Sequence, residues 1–184
     1  MLHEILAVFD LVEAVRARAG MLVIASLGLT WGLAACQDEP DLTLPEAEDL
    51  KGVYGPAVDV VLKGNVVDIH VIQPADQLRR GGSVWAKVGP YIYLFTPQTQ
   101  QLFESYPGLG GVQVTTMDGR KRLIARAMLE RGTLNGVTWR KAIGLAGRAR
   151  MEGTQRPSYI LDLIEYGEDL VEHEYSSRYV KDQR

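Results

Sequence analysis

Two sets of side chains combine residue types that do chemistry with spacings that chemistry can use. Asp59 and His70 fall in two alternating runs, 57–62 and 66–72, joined at Gly64-Asn65. If these runs pair as a hairpin, the carboxylate lies beside the imidazole, where it can orient the ring for general-base work in a small hydrolase. No Gly-x-Ser-x-Gly or other nucleophile motif accompanies the pair, so an exposed cross-strand polar contact is the simpler reading. Glu165, Asp169 and His173 recur at four-residue intervals, which puts them on one face if the segment is helical. These are metal-ligating types. Two turns, however, separate the first from the last by about 12 Å along the axis, too far for one ion. A metal bound near Asp169 and His173 would need ligands from elsewhere, and a solvated acidic face accounts for the pattern more simply.

The single cysteine, Cys36, cannot form an intrachain disulfide, and its neighbours supply another use for it. Residues 21–35 are an uncharged run of apolar and small residues preceded by Arg16 and Arg18. The run is shorter than the roughly 20 residues that span a bilayer and has the length of a signal-peptide apolar region. Its end, Leu33-Ala34-Ala35-Cys36, resembles the bacterial lipobox, in which an aliphatic and two small residues precede the cysteine that receives diacylglycerol. The resemblance covers about residues 15–38 and implies cleavage between Ala35 and Cys36, lipid on Cys36, and attachment to a membrane facing the periplasm. Gln37 is not the aspartate associated with inner-membrane retention in some bacteria, which favours the outer membrane. Glu4, Asp10 and Glu13 are out of place in a signal's first segment, and a start at Val15 would remove them.

The formal net charge of −3 gives no global reason to expect nucleic acid, and a mean hydropathy of −0.06 excludes a multi-span membrane protein. Charge is nonetheless uneven. Residues 120–150 are rich in arginine and lysine, and 162–174 are acidic. The two segments neutralise one another if they pack together. If they do not, Arg122, Arg126, Arg140 and Lys141 form a basic contact face for anionic headgroups, cell-wall polymer or an acidic partner. Trp85, Tyr91, Tyr93 and Phe95 can stack sugars or peptides but more simply pack a core. The glycine runs lack the strand-to-helix setting of a phosphate loop, and no cofactor is expected.

The elements that must position these residues follow from periodicity and turn chemistry. Residues 36–52 read as a flexible acidic tether, and 53–184 as one globular domain behind a signal at 1–35. Beyond the first hairpin, 84–88 and 91–95 read as a second, turning at Gly89-Pro90. Thr96-Pro97 opens a short central helix that Pro107-Gly108 closes. Strands at 112–117 and 120–129 flank Asp118-Gly119, a strong hairpin signal, with Val112, Val114, Leu123, Ala125, Ala127 and Leu129 inward. Thr138 caps a helix to about Arg150, and Pro157 starts another to about Tyr179. The expected fold is α+β: an antiparallel sheet of about six strands built from hairpins, with the helices packed on it. The expected function is that of a non-catalytic envelope lipoprotein, held to the bilayer through acylated Cys36 and binding an envelope protein or cell-wall polymer. The alternative is a small periplasmic hydrolase.

Overall fold

The computed structural model describes residues 42–56 and 58–180. The expected signal, Cys36 and the first part of the tether lie outside these residues. The chain runs α1 (Ala47–Leu50), β1 (Asp59–Lys63), β2 (Val66–Ile72), α2 (Ala75–Leu94), α3 (Pro97–Ser105), β3 (Gly111–Met117), β4 (Leu123–Glu130), α4 (Gly136–Glu152), α5 (Pro157–Leu170) and β5 (Glu172–Tyr175). The strands form one five-stranded sheet in the order β1-β2-β3-β4-β5. It is a mixed sheet: β2 and β3 are parallel and the other neighbours antiparallel.

The first hairpin forms with Val60 opposite Ile69 and Leu62 opposite Val67. Val67, Ile69, Val71, Val112, Val114, Ala127 and Leu129 are buried on one face, in the main core with α2. α2 touches β3 and β4, and α5 and α4 pack on α2 in turn. The second half of α2 therefore lies between the sheet and the outer helices, with Ala86, Val88, Tyr91 and Leu94 fully buried. The other sheet face mixes polar and charged side chains with the exposed Val61 and Ile72, and at one corner of the sheet Tyr179 and Val180 pack with Ile124 and with Ala86 of α2.

Residues 84–94 are helix, with Phe95 as its C-cap, and not the expected second hairpin. Gly89-Pro90 imitates a turn, and the valines, tyrosines and phenylalanine favour strand. Val84, Val88, Tyr91 and Phe95, however, also recur at helical spacing, and burial of Val88, Tyr91, Leu94 and Phe95 against the sheet and outer helices decides between the two periods. Pro90 sits inside the helix, where a proline typically costs about 3 kcal/mol. Burial of Tyr91, Leu94 and Phe95 offsets this at roughly 1.5–3 kcal/mol for each large apolar side chain. Gly82, at φ 55° and ψ −139°, kinks α2 ahead of that segment, a conformation open to glycine without strain. The helical crossover also explains the parallel pairing. Strands joined through α2 and α3 can run the same way, which a short hairpin does not allow.

Three further expectations shift. The β3–β4 connection is a five-residue loop, 118–122, in place of a two-residue Asp-Gly turn, and the Asp118 carboxylate accepts from the amides of Arg120 and Arg122. Five residues in place of two shift the pairing by three, and an irregularity between Thr116 and Met117 adds one more. From Thr116 outward the displacement is therefore even and the inward set is preserved, whereas Leu123 beyond the irregularity is only half-buried. The cap of α4 is Asn135, with Thr138 closing a reciprocal capping box. The last helix stops at Leu170, where Val171 turns extended and residues 172–175 pair as an edge strand with β4. α3 matches its expectation closely: Thr96 accepts from the Thr99 amide and Pro97 occupies the first turn. Residues placed in the tether also belong to the fold, since Leu50 is buried and the Thr43 carbonyl accepts from the Gly108 amide. Among the described residues no helix is long and apolar enough to cross a membrane.

Candidate functional site

Strand alternation places His70 and Asp68 on one face of β2, two residues apart, and the register puts Asp59 opposite His70. His70 Nδ1 lies 3.7 Å from Asp59 Oδ2, and His70 Nε2 lies 3.1 Å from Asp68 Oδ2. Lys63 Nζ donates to Asp68 Oδ2 at 2.6 Å. The Asp68 side chain is only 3% exposed, while that of Asp59 is 74% exposed. Burial raises the Asp68 carboxyl pKa. Hydrogen bonds from Lys63, Gln113 and His70, with the charge of His70, together outweigh burial and hold it below the usual carboxylate range. Asp68 is therefore an anion sunk into a sheet face and held by neighbouring donors. Its Oδ1 is buried without a hydrogen bond.

The ladder extends this cluster across the sheet. Asp59, His70, Thr115, Arg126 and Glu174 are successive partners from β1 to β5. Val61, Asp68, Gln113, Met128 and Glu172 form the neighbouring row. Arg126 and Glu174 face one another at 3.6 Å. A shallow concavity of about 460 Å³ lies over these rows, lined by Lys63, Asp68, Gln113, Arg126, Met128 and Glu174 among others.

Other expected site residues are dispersed. Glu165 and Asp169 lie on α5, whereas His173 lies on β5 beyond the helix end. The expected single helical face does not exist, because the backbone turns extended at Val171. His173 Nδ1 is 3.2 Å from the Val171 carbonyl, and its ring packs on Tyr175. Among the described residues, no group of three or more His, Cys, Asp or Glu is placed to hold a metal ion. The basic candidates are also separated. Arg122 is tied to Asp118 at 2.6 Å and Arg126 faces Glu174. Arg140 and Lys141 lie on α4, with the Lys141 ammonium over the Tyr166 ring at 4.7 Å. Of the aromatic set, Tyr91 and Phe95 are core, while Trp85 and Tyr93 line a separate cleft at the end of β2.

Asp68 is the residue sequence reasoning passed over. Its signal was the same alternation that singled out His70, since a carboxylate two residues away shares its face. The cleft had no comparable signal, because its walls come from segments scattered between residues 53 and 154. No protein-family model, curated protein or solved structure matches the chain.

Asp68→Asn tests the cluster. A carboxyl whose folded pKa is depressed contributes stability that is present above its unfolded value, about 3.9, and lost as pH falls through the folded value. The variant is expected to be about 1–2 kcal/mol less stable at pH 7, as for a charge-assisted hydrogen bond discounted for the exposure of Lys63. The difference should begin to narrow below about pH 4, where the unfolded-state carboxyl protonates, and close as pH falls through the lower folded value. Paired thermal melts from pH 7 to 3 check this, and a gap independent of pH would show that packing, not charge, is responsible.

Proposed function

We propose that this chain is a membrane-anchored bacterial lipoprotein of the cell envelope, whose folded region binds a partner protein and performs no catalysis. Lipid on Cys36 anchors it at a bilayer facing the periplasm, with the outer membrane favoured by Gln37. The observation that carries the binding role is the polar ladder spanning all five strands, with the exposed Val61 and Ile72 on the same face as His70. Apolar side chains among internally matched charges suit a protein surface of mixed character. A polyanionic polymer or an anionic headgroup layer calls for unpaired cations. Here Lys63 is held by Asp68, and Arg126 faces Glu174.

The same geometry weighs against a hydrolase. A histidine acting as general base presents one ring nitrogen to the nucleophile and the other to its orienting acid. Both nitrogens of His70 face carboxylates, which leaves neither directed at a nucleophile.

In-cell photocrosslinking tests the binding role. A benzophenone side chain in place of Val61 is expected to give one protein adduct, reduced several-fold by Asp59→Arg on the same face. The same probe in place of the exposed Met151 of α4 should give none. Equal adducts from both positions, insensitivity to Asp59→Arg, or no adduct at Val61 would each overturn the reading.

A further inference from the structure

We propose that the cleft at the end of β2 is a binding site for a small saccharide bearing a carboxylate. The proposal is independent of the partner surface on the sheet face. The cleft has a volume of about 610 Å³, within the ~300–1,000 Å³ span of small-molecule sites. It lies where Gln73 leaves the sheet, against the middle of α2 and the end of α4, with Trp85, Tyr93 and Arg150 in its walls.

Gln73 is the fixed point of the site. It is 6% exposed, and its Nε2 donates to the Trp85 carbonyl at 2.8 Å. That bond sets the orientation of the amide, because the flipped form would oppose two oxygens. Its Oε1 is thereby left buried with no hydrogen-bond partner, a state that native proteins rarely leave uncompensated. Gly89 makes the arrangement possible, since a Cβ there would come within 3.0 Å of Gln73 Nε2. The backbone of α2 is thus brought against the amide, and Gln73 stands in the cleft lining with a buried acceptor that lacks a donor.

The remaining lining selects the chemistry of that donor. Gln77 and Gln98 add amides that both donate and accept, and Trp85 and Tyr93 offer ring surface. Alternating hydroxyl and acetamido groups with apolar C–H faces match this combination. Among the described residues Arg150 is the only charged one in the lining, and no carboxylate lines the cleft. Its Nη2 donates to the Ile92 carbonyl at 2.7 Å, which holds the guanidinium at the cleft while other donors remain. A carboxylate on the ligand completes it, since guanidinium and carboxylate match in charge and geometry. A phosphate-rich ligand fits less well, with a single cation present. So does an aliphatic chain, which would strand the three amides.

Titration calorimetry on the detergent-solubilised full chain tests the site, with N-acetylmuramic acid as probe and N-acetylglucosamine as the matched sugar lacking the carboxylate. The acid should bind saturably and at least several-fold more tightly than the neutral sugar. Arg150→Gln should abolish that preference, lowering acid affinity roughly tenfold or more while leaving the neutral sugar within about twofold. Gln73→Met, which keeps the side-chain length and removes the amide, should weaken both sugars. Arg150→Lys controls for the bond to Ile92: a variant that melts like wild type and retains part of the preference assigns the effect to charge. Absence of saturable binding of the acid by the folded wild type would overturn the proposal and leave a water-filled cleft. Binding without acid preference, or binding indifferent to both Gln73→Met and Arg150→Gln, would overturn it equally.

Discussion

Replacing Cys36 with serine is expected to abolish lipidation and to leave residues 1–35 on the chain. On the proposed reading the thiol would become a thioether to diacylglycerol, and a serine hydroxyl is a poorer nucleophile that would not substitute for it. The effect on attachment is large because acyl transfer energies accumulate at about 0.8 kcal/mol per buried CH2. One myristoyl chain gives an association constant of only about 10⁴ M⁻¹, so two or more chains separate stable anchoring from transient contact. Intact mass of wild-type protein from a bacterial membrane fraction should correspond to a chain beginning at Cys36 with its acyl groups. Cys36→Ser should show neither the cleavage nor the added mass. N-terminal sequencing of that variant also decides between Met1 and Val15 as the start. An unprocessed, unlipidated wild-type mass from a native-like host would overturn the envelope reading and leave the sheet-face and cleft tests standing on their own.

Gly167→Ala is expected to destabilise the fold, against its helix propensity. In an ordinary helix this change gains about 1 kcal/mol. Here a Cβ at 167 would lie 2.5–2.8 Å from ring atoms of Tyr91. Tyr91 cannot yield easily: it is fully buried, and its hydroxyl is 2.5 Å from that of Tyr175. Tyr175 is placed in turn by β5, and Lys87 lies over its ring while pairing with Glu168. Overpacking against a pinned ring costs about 1–3 kcal/mol and opens the α2–α5 contact on which the outer layer rests. The overpacking term is expected to exceed the propensity gain, for a net loss of up to about 2 kcal/mol, with Gly167→Val more severe. Thermal or urea melts check the sign. A variant more stable than wild type would mean that α5 shifts away from α2 at little cost. Combining Gly167→Ala with Tyr91→Leu separates the cases, because a loss caused by the ring should shrink when the ring is removed.

Local patterns were sufficient wherever one periodicity stood without a rival. The β1–β2 hairpin follows from alternation on both sides of Gly64-Asn65, and with it the meeting of Asp59 and His70. α3 follows from Thr96-Pro97, and the start of α5 from Pro157. The inward set of β3 and β4 survives an error in the turn, because side chains repeat every two residues and the ladder from Thr116 outward moved by an even number. At 84–95, strand propensity and a Gly-Pro pair competed with helical spacing. None of the segment is fully exposed, so it has no solvent-facing pattern to choose between the two. At 171–175, helical spacing ran past the helix end, and an edge strand of mostly exposed residues has too few apolar positions to announce itself.

The site divides the same way. His70 and Asp59 are neighbours by hairpin register, and Asp68 joins them by parity, so the nucleus of the sheet-face cluster is a property of one stretch of chain. That Asp68 is buried, and that the row continues through Thr115 and Arg126 to Glu174, depends on which strands lie next to β2. That choice rests with the helical crossover. The cleft is tertiary from the outset: Gln73, Trp85 and Arg150 meet only because α2 crosses the sheet at Gly89 and α4 ends above it. Sequence by itself determined the elements whose stability is local: caps, a tight hairpin and the faces of alternating strands. Tertiary structure alone decided strand direction, the buried helix and the sites between elements, because these depend on burial free energy shared among segments distant along the chain.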